Sequence, residues 1–194
     1  MLRSTLVATS LILAAPIMTA ETEPSEAESV AAIGPDIGST APEFSAVTSD
    51  GASVTLADIS GENGAVLVFS RSLDWCPFCT KQAVELNSVS ASMSEAGWPM
   101  SLITYDSVDI LADYKASEEI SYTLLSDADS TTIDAFGLRN TDVTAGSPFD
   151  GIPHPAIIFI DSEGTVVEML REEGFRVRPE TELLPETAAA LSGS

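Results

Sequence analysis

Residues 65–70 (Ala-Val-Leu-Val-Phe-Ser) form an apolar run of strand length with no polar alternation, and a helical pattern begins only seven residues later. A run of this kind suits a strand buried on both faces of a sheet. Pro77 fits the first turn of a helix, where its missing N–H would be unpaired anyway. From there to about Glu95, Ala83, Leu86, Val89 and Met93 recur at helical spacing. The junction between strand and helix reads Asp74-Trp75-Cys76-Pro77-Phe78-Cys79 and holds both cysteines of the chain.

The pattern around this unit is equally regular. Ser45–Thr48, a turn at Ser49-Asp50-Gly51 and Val54–Leu56 read as a short hairpin. Met100–Tyr105 is a second apolar strand, and Asp109–Glu119 a helix with Ile110, Leu111 and Tyr114 on its apolar face. Tyr122–Leu125 is a brief strand and Asp129–Phe136 a short helix ending at Gly137. Ala156–Ile160 and Thr165–Leu170 flank the turn Asp161-Ser162-Glu163-Gly164 as an antiparallel pair, and Pro179–Leu191 closes the chain as a helix. Strands alternating with helices, then a final hairpin, predict an α/β domain with a central mixed β-sheet covered on both faces.

The Cys-x-x-Cys spacing has a chemical purpose. Two intervening residues in a first helical turn bring the sulfurs within bonding reach. The helix N-terminus turns backbone N–H groups and a partial positive charge toward Cys76. Thiolate is thereby favoured, so Cys76 is the expected attacking sulfur and Cys79 the resolving one. A purely structural disulfide is the plainer reading, but so short a loop removes little chain entropy. Two cysteines and one histidine do not complete a closed zinc site without carboxylates. No metal or organic cofactor is expected, although Cu(I) on both thiolates is a minor alternative.

Charge narrows the partners. Thirty acidic groups oppose eight basic ones, for a net charge of -22. Nucleic acid and anionic lipid are disfavoured as ligands, because both would be repelled. The acidic excess reads as a solvated, aggregation-resistant surface. Met1–Ala20 places Arg3 before the short apolar run Leu6–Ala15, then Pro16 and a small residue before Glu21. That is the layout of a secretory signal peptide, with a retained anchor as the alternative. No cysteine near the cut supports a lipoprotein anchor. Residues 21–32 read as an acidic flexible linker and 33–194 as the folded domain. The expected location is exported, periplasmic or extracellular, with no stable membrane insertion after cleavage. A disulfide persists in such a compartment.

Taken in order, Ala41-Pro42-Glu43-Phe44, Gly51 with Val54-Thr55-Leu56, Val66–Ser70 and Trp75-Cys76-Pro77-Phe78-Cys79 resemble the redoxin group of the thioredoxin-like superfamily. That group includes the AhpC/TSA (peroxiredoxin-like) proteins and exported thioredoxin-like reductases. Leu125-Ser126-Asp127 with Phe136-Gly137 is similar to the peroxiredoxin pattern. Gly151-Ile152-Pro153-His154-Pro155, running into Ile157–Asp161 and Gly164, resembles the superfamily's cis-proline loop. The likeness spans roughly Ile33 to Leu191 and implies a thioredoxin-like fold with an N-terminal β-hairpin extension.

The resemblance also implies roles. A cis proline would face the cysteine pair and present an extended partner segment, and spacing favours Pro155 over Pro153. His154 would then sit beside the cysteines, hydrogen-bonding Cys76 or moving a proton, unless it is an ordinary loop histidine. Trp75 matches the tryptophan before the active cysteine in thioredoxins, where it shields the pair; core packing is the alternative.

Four positions depart from the family patterns. The peroxiredoxin proline and threonine, seven and three residues before the cysteine, are Phe69 and Leu73 here. The peroxide-polarising arginine falls on Pro155, leaving Arg71, Arg139 or Arg171 as substitutes. The buried acid of thioredoxins falls on Ser70. Cys-Pro-Phe-Cys is also similar to glutaredoxins, but the upstream hairpin and inserted helix do not fit so small a fold. Arg171, Arg176 and Arg178 cluster in one loop of an acidic chain and read as solvated side chains.

The expected function is therefore an exported thiol–disulfide oxidoreductase. Its partner would be a thiol/disulfide protein or a small-thiol electron donor. The alternatives are a thiol-dependent peroxidase acting on peroxide through Cys76, and a non-catalytic binding module with a structural disulfide.

Overall fold

The computed structural model describes residues 33–193. The expected signal peptide and the whole of the expected acidic linker lie outside the described residues. Chain order within them is β1 (Ser45–Thr48), β2 (Ser53–Thr55), α1 (Leu56–Ile59), β3 (Gly64–Phe69), α2 (Pro77–Glu95), β4 (Met100–Thr104), α3 (Val108–Ser117), β5 (Thr123–Ser126), α4 (Thr131–Ala135), β6 (Ala156–Asp161), β7 (Val166–Leu170) and α5 (Leu183–Ser192). The strands form one sheet in the order β2-β1-β5-β4-β3-β6-β7. β3, β4 and β5 run parallel, β6 and β7 close one side antiparallel, and the β1–β2 hairpin extends the other. This is the thioredoxin-like α/β sheet with its hairpin extension.

The apolar run of β3 sits between β4 and β6, and all six of its residues are buried. Its alternate side chains feed two cores. Val66 and Val68 join Leu102, Leu124 and Phe159 beneath Ala83, Leu86 and Met93 of α2, Leu111 of α3, and Leu184 and Ala188 of α5. Leu67 and Phe69 join Ile103, Leu125 and Ile158 on the opposite face, under Ile133 of α4 and Phe136. Each buried side chain of this size contributes about 1.5–3 kcal/mol. Gly64 opens β3 at φ +143°, and a Cβ there would lie 2.0 Å from the Ile160 carbonyl oxygen. Only glycine allows β6 so close.

Two elements differ from expectation. The second hairpin strand stops at Thr55, because Asp58 accepts hydrogen bonds from the Thr55 N–H (2.8 Å) and hydroxyl (2.7 Å) and starts α1 there. The last helix begins at Leu183 rather than Pro179. Leu183 and Leu184 donate to the carbonyls of Glu180 and Thr181, an i to i−3 turn that bends the chain before α5.

Candidate active site

α2 begins where β3 delivers the chain to the edge of the sheet. Cys76 is its N-cap, with extended φ/ψ of -98° and 102°, and Pro77 follows in the first turn. The N–H groups of Cys79 and Thr80 both donate to the Cys76 carbonyl at 3.0 Å. This tight turn holds the two Cα atoms 5.2 Å apart, and the sulfurs are joined as a disulfide. Both cysteines are 0% exposed.

Asp106, just beyond β4, shapes the loop that carries Cys76. Its buried carboxylate accepts from the Leu73 N–H (2.6 Å), the Ser72 hydroxyl (2.7 Å) and the Thr104 hydroxyl (2.9 Å). The Ser72 oxygen in turn accepts from the Asp74 and Trp75 N–H groups at 3.1 and 3.4 Å. Burial raises the Asp106 carboxyl above its ordinary range, and the three donors partly offset this.

Two arginines meet the sulfurs. Arg71 Nη2 lies 3.6 Å from Cys76 Sγ, and Arg178 Nη2 lies 3.6 Å from Cys79 Sγ. The Arg71 guanidinium lies over the rings of Phe175 (4.2 Å) and Trp75 (5.0 Å). Its Nε is buried with no hydrogen-bond partner among the described residues. Arg178 donates to Gln82 Oε1 (3.1 Å) and to the carbonyls of Phe175 and Val177. Burial lowers the Arg71 pKa, while burial and the charge of Arg71 lower that of Arg178 to about 10. Arg178 is thus still cationic at neutral pH. Neither arginine pairs with a carboxylate among the described residues.

An aromatic rim completes the enclosure. Trp75 donates from Nε1 to the Tyr105 hydroxyl (2.8 Å), which donates to the Pro148 carbonyl (3.1 Å). Phe149 meets Trp75 edge-on at 4.8 Å, and Phe175 meets Phe78 at 6.2 Å. Trp75 packs against the buried cluster that holds both cysteines, and the segment 172–178 forms a strap that reaches Cys79 through Arg178. A groove of about 520 Å³ runs from this strap along α2, lined by Phe78, Lys81, Gln82, Arg176 and Arg178.

Two expectations need correction. Among the described residues there is no cis peptide bond, so neither Pro153 nor Pro155 is cis. The loop is held extended instead. Asn140 N–H donates to the Ile152 carbonyl (2.9 Å), His154 N–H to the Leu138 carbonyl (2.7 Å), and Arg139 bridges Pro153 antiparallel. This pairing carries the chain straight into β6 with Pro155 buried at its head. Nor does His154 hydrogen-bond either sulfur in this oxidised form; those contacts come from Arg71 and Arg178. Burial, then the charge of Arg171, lowers the His154 pKa.

Of the three candidate substitutes for the family arginine, only Arg71 reaches the pair. Arg139 is engaged by Asp134 (2.5 Å) and Asp150 (2.9 Å), and Arg171 bonds the Glu172 carbonyl. Arg178 was placed among solvated loop residues by sequence and is in fact half-buried. The available signal was compositional: three of eight basic residues fall within eight positions of an acidic chain.

A thioredoxin-type sheet with a Cys-x-x-Cys disulfide capping its main helix defines a thiol-based redox enzyme. Residues 37–169 match the model of the AhpC/TSA family, and the chain belongs to that family. It is 31% identical over 129 residues to peroxiredoxin Bcp of Escherichia coli, covering 66% of this chain and 81% of that one. It is 30% identical over 131 residues to the putative peroxiredoxin bcp of Coxiella burnetii, covering 68% and 85%. Among solved structures, peroxidoxin BcpB of Mycobacterium tuberculosis matches with a TM-score of 0.67 and 22% identity, covering 82% of this chain and 96% of that one. Xanthomonas campestris peroxiredoxin Q matches at 0.63 and 24%, covering 77% and 90%. The protein is therefore a peroxiredoxin-like oxidoreductase. These relatives favour the peroxidase alternative over the thiol–disulfide oxidoreductase expected first.

Proposed function

We propose that the protein is a thiol-dependent peroxidase in which Cys76 is the peroxidatic cysteine and Cys79 resolves it. The observation that carries this reading is the Arg71 guanidinium 3.6 Å from Cys76 Sγ. It supplies, from the strand-to-helix loop, the positive charge that the family pattern would place at Pro155. With the N-terminus of α2 it favours thiolate at Cys76 and polarises a peroxide oxygen beside it. The Cys76 thiolate attacks that oxygen, forming an S–O bond as the O–O bond breaks. The leaving oxygen takes a proton and departs as water or alcohol. Cys79 then attacks the sulfenic sulfur, expelling hydroxide that is protonated to water, and the disulfide results. A thiol donor returns two electrons. The layout of residues 1–20 supports an exported location for this chemistry, where the donor would be a periplasmic or extracellular thiol.

Rapid mixing of the reduced protein with hydrogen peroxide or cumene hydroperoxide tests this. Oxidation far faster than that of a free thiol is expected, with a loss of about 10²-fold in Arg71→Gln. Cys76→Ser is expected to be inert, and Cys79→Ser to stop at a dimedone-reactive sulfenic acid. A rate like that of free thiol would overturn the assignment. A second reading, direct thiol–disulfide exchange, is favoured by Leu73 and Pro155 standing where the peroxide-activating threonine and arginine are found in the family. Fast exchange with a dithiol protein, combined with slow peroxide oxidation, would select it.

A further inference from the structure

We propose that Arg178 holds Cys79 as a thiolate, making it the leaving sulfur and directing an incoming thiol reductant to Cys76. The inference rests on the dithiol chemistry above but concerns the other sulfur and the other half of the cycle.

The helix N-terminus assists Cys76, whereas Cys79 lies a turn inside α2, where that field has faded. No carboxylate hydrogen-bonds Cys79, and the buried Ser70 hydroxyl has no partner among the described residues. What Cys79 does have is Arg178 Nη2 at 3.6 Å. The guanidinium is aimed in advance by Gln82 Oε1 and two backbone carbonyls of the strap. In a chain with 30 acidic residues it pairs with none of those described. A half-buried cation without a carboxylate needs an anion, and the reduced form generates one at Cys79.

Other groups around the pair do not compete for this role. Asp74 is exposed, Asp106 is bound by three donors, and Lys81 pairs with Glu85 at 2.6 Å. Tyr105, behind Trp75, is raised by burial. Tyr114 and Tyr122 bond backbone carbonyls of α2 and are held protonated by burial, Tyr114 at about 12 and Tyr122 higher. Arg71 serves Cys76.

The electron count is closed. A reductant thiolate attacks Cys76 Sγ, a mixed disulfide forms, and the intramolecular S–S bond breaks. The electron pair stays on Cys79 as thiolate beside Arg178, with no proton required. A second reductant thiol attacks the reductant's sulfur in the mixed disulfide and releases Cys76 thiolate to Arg71. The reductant leaves as a disulfide, oxidised by two electrons. A lower-pKa thiol is the better leaving group; Arg71 and the N-terminus of α2 give Cys76 that advantage, and Arg178 supplies the matching one that lets Cys79 leave when the reductant attacks Cys76.

Two measurements test this without reference to peroxide. In Cys76→Ser, thiolate absorbance should titrate below the ~8.5 of a free thiol. Adding Arg178→Gln should cut the thiolate fraction at pH 7 about tenfold, which is one pKa unit. Arg178→Lys should recover much of it, and Arg176→Gln, in the same strap, should change nothing. In the otherwise native oxidised protein, brief treatment with 2-mercaptoethanol followed by acid quench and peptide mapping should find the mixed disulfide on Cys76. Arg178→Gln should move part of it to Cys79. Identical titrations with and without Arg178, or a mixed disulfide on Cys79 in the native protein, would overturn the proposal. Slow peroxide oxidation alongside the expected titrations would count against the peroxidase reading and leave this one standing.

Discussion

Asp106 illustrates how one residue sets the geometry of chemistry it does not touch. Its two oxygens take three hydrogen bonds that fold the 72–75 loop and so aim Cys76 at the start of α2. In Asp106→Asn one oxygen becomes a donor, leaving at least one buried N–H or hydroxyl unpaired, at a cost of about 1–3 kcal/mol. Acidity changes that cost with a definite sign. The folded carboxyl pKa is raised by burial, so its ionisation subtracts stability as pH climbs from the unfolded pKa through the folded one. The native protein is then favoured most over Asp106→Asn at acid pH, and the deficit of the variant shrinks toward neutrality. Urea unfolding of both proteins at pH 4 and pH 7 measures this. A deficit that grows with pH would mean the carboxyl is stabilised as the anion.

At the scale of elements, the strap 172–178 decides who reaches the sulfurs. It has no regular secondary structure, yet Phe175 covers Arg71 and meets Phe78, and Arg178 reaches down to Cys79. Both cysteines are sealed in the oxidised form, so reduction requires the strap or the Phe149 loop to lift. The contacts of Phe175 are worth about 1–2 kcal/mol together. Phe175→Ala should therefore raise the open population, and the rate of reduction by dithiothreitol, about tenfold. An unchanged rate would place the barrier elsewhere. Packing on the two faces of the sheet directs the expected opening to this segment. α2, α3 and α5 are anchored by fully buried side chains, whereas the strap leaves Phe175 38% and Val177 59% exposed.

For the whole molecule the dominant long-range term is its own charge. A net -22 works against compactness, because 30 acidic groups are brought closer together on folding. Raising salt from about 10 to about 150 mM shortens the Debye length from about 30 to about 8 Å and screens that repulsion. The thermal midpoint at pH 7 should rise across this range, and the rise should vanish near pH 4, where many carboxylates are protonated. A midpoint insensitive to salt at pH 7 would show the acids to be already neutralised by local partners. The same excess makes the basic site distinctive: among the described residues Arg71 and Arg178 stand at its centre without a carboxylate partner, while Lys81 and Arg139 are engaged by carboxylates.

What the chain determines by itself is what repeats along it or lies within a turn. The unbroken run of β3, the 3.6-residue spacing of α2 and the Cys-x-x-Cys at their junction are local, so sheet, helix and disulfide were all legible. The hairpin and the order of strands and helices followed for the same reason. Only tertiary structure could bring Arg178 to Cys79 across 99 positions, select Arg71 over Arg139 and Arg171, or set Asp106 beneath a loop more than 30 residues earlier. The extended, trans course of 152–155 was likewise decided by pairing with 138–140, a neighbour no local pattern names. Periodicity encodes which face of an element is buried. It does not encode which distant charged side chain arrives at the sulfur, because that depends on how all the layers stack.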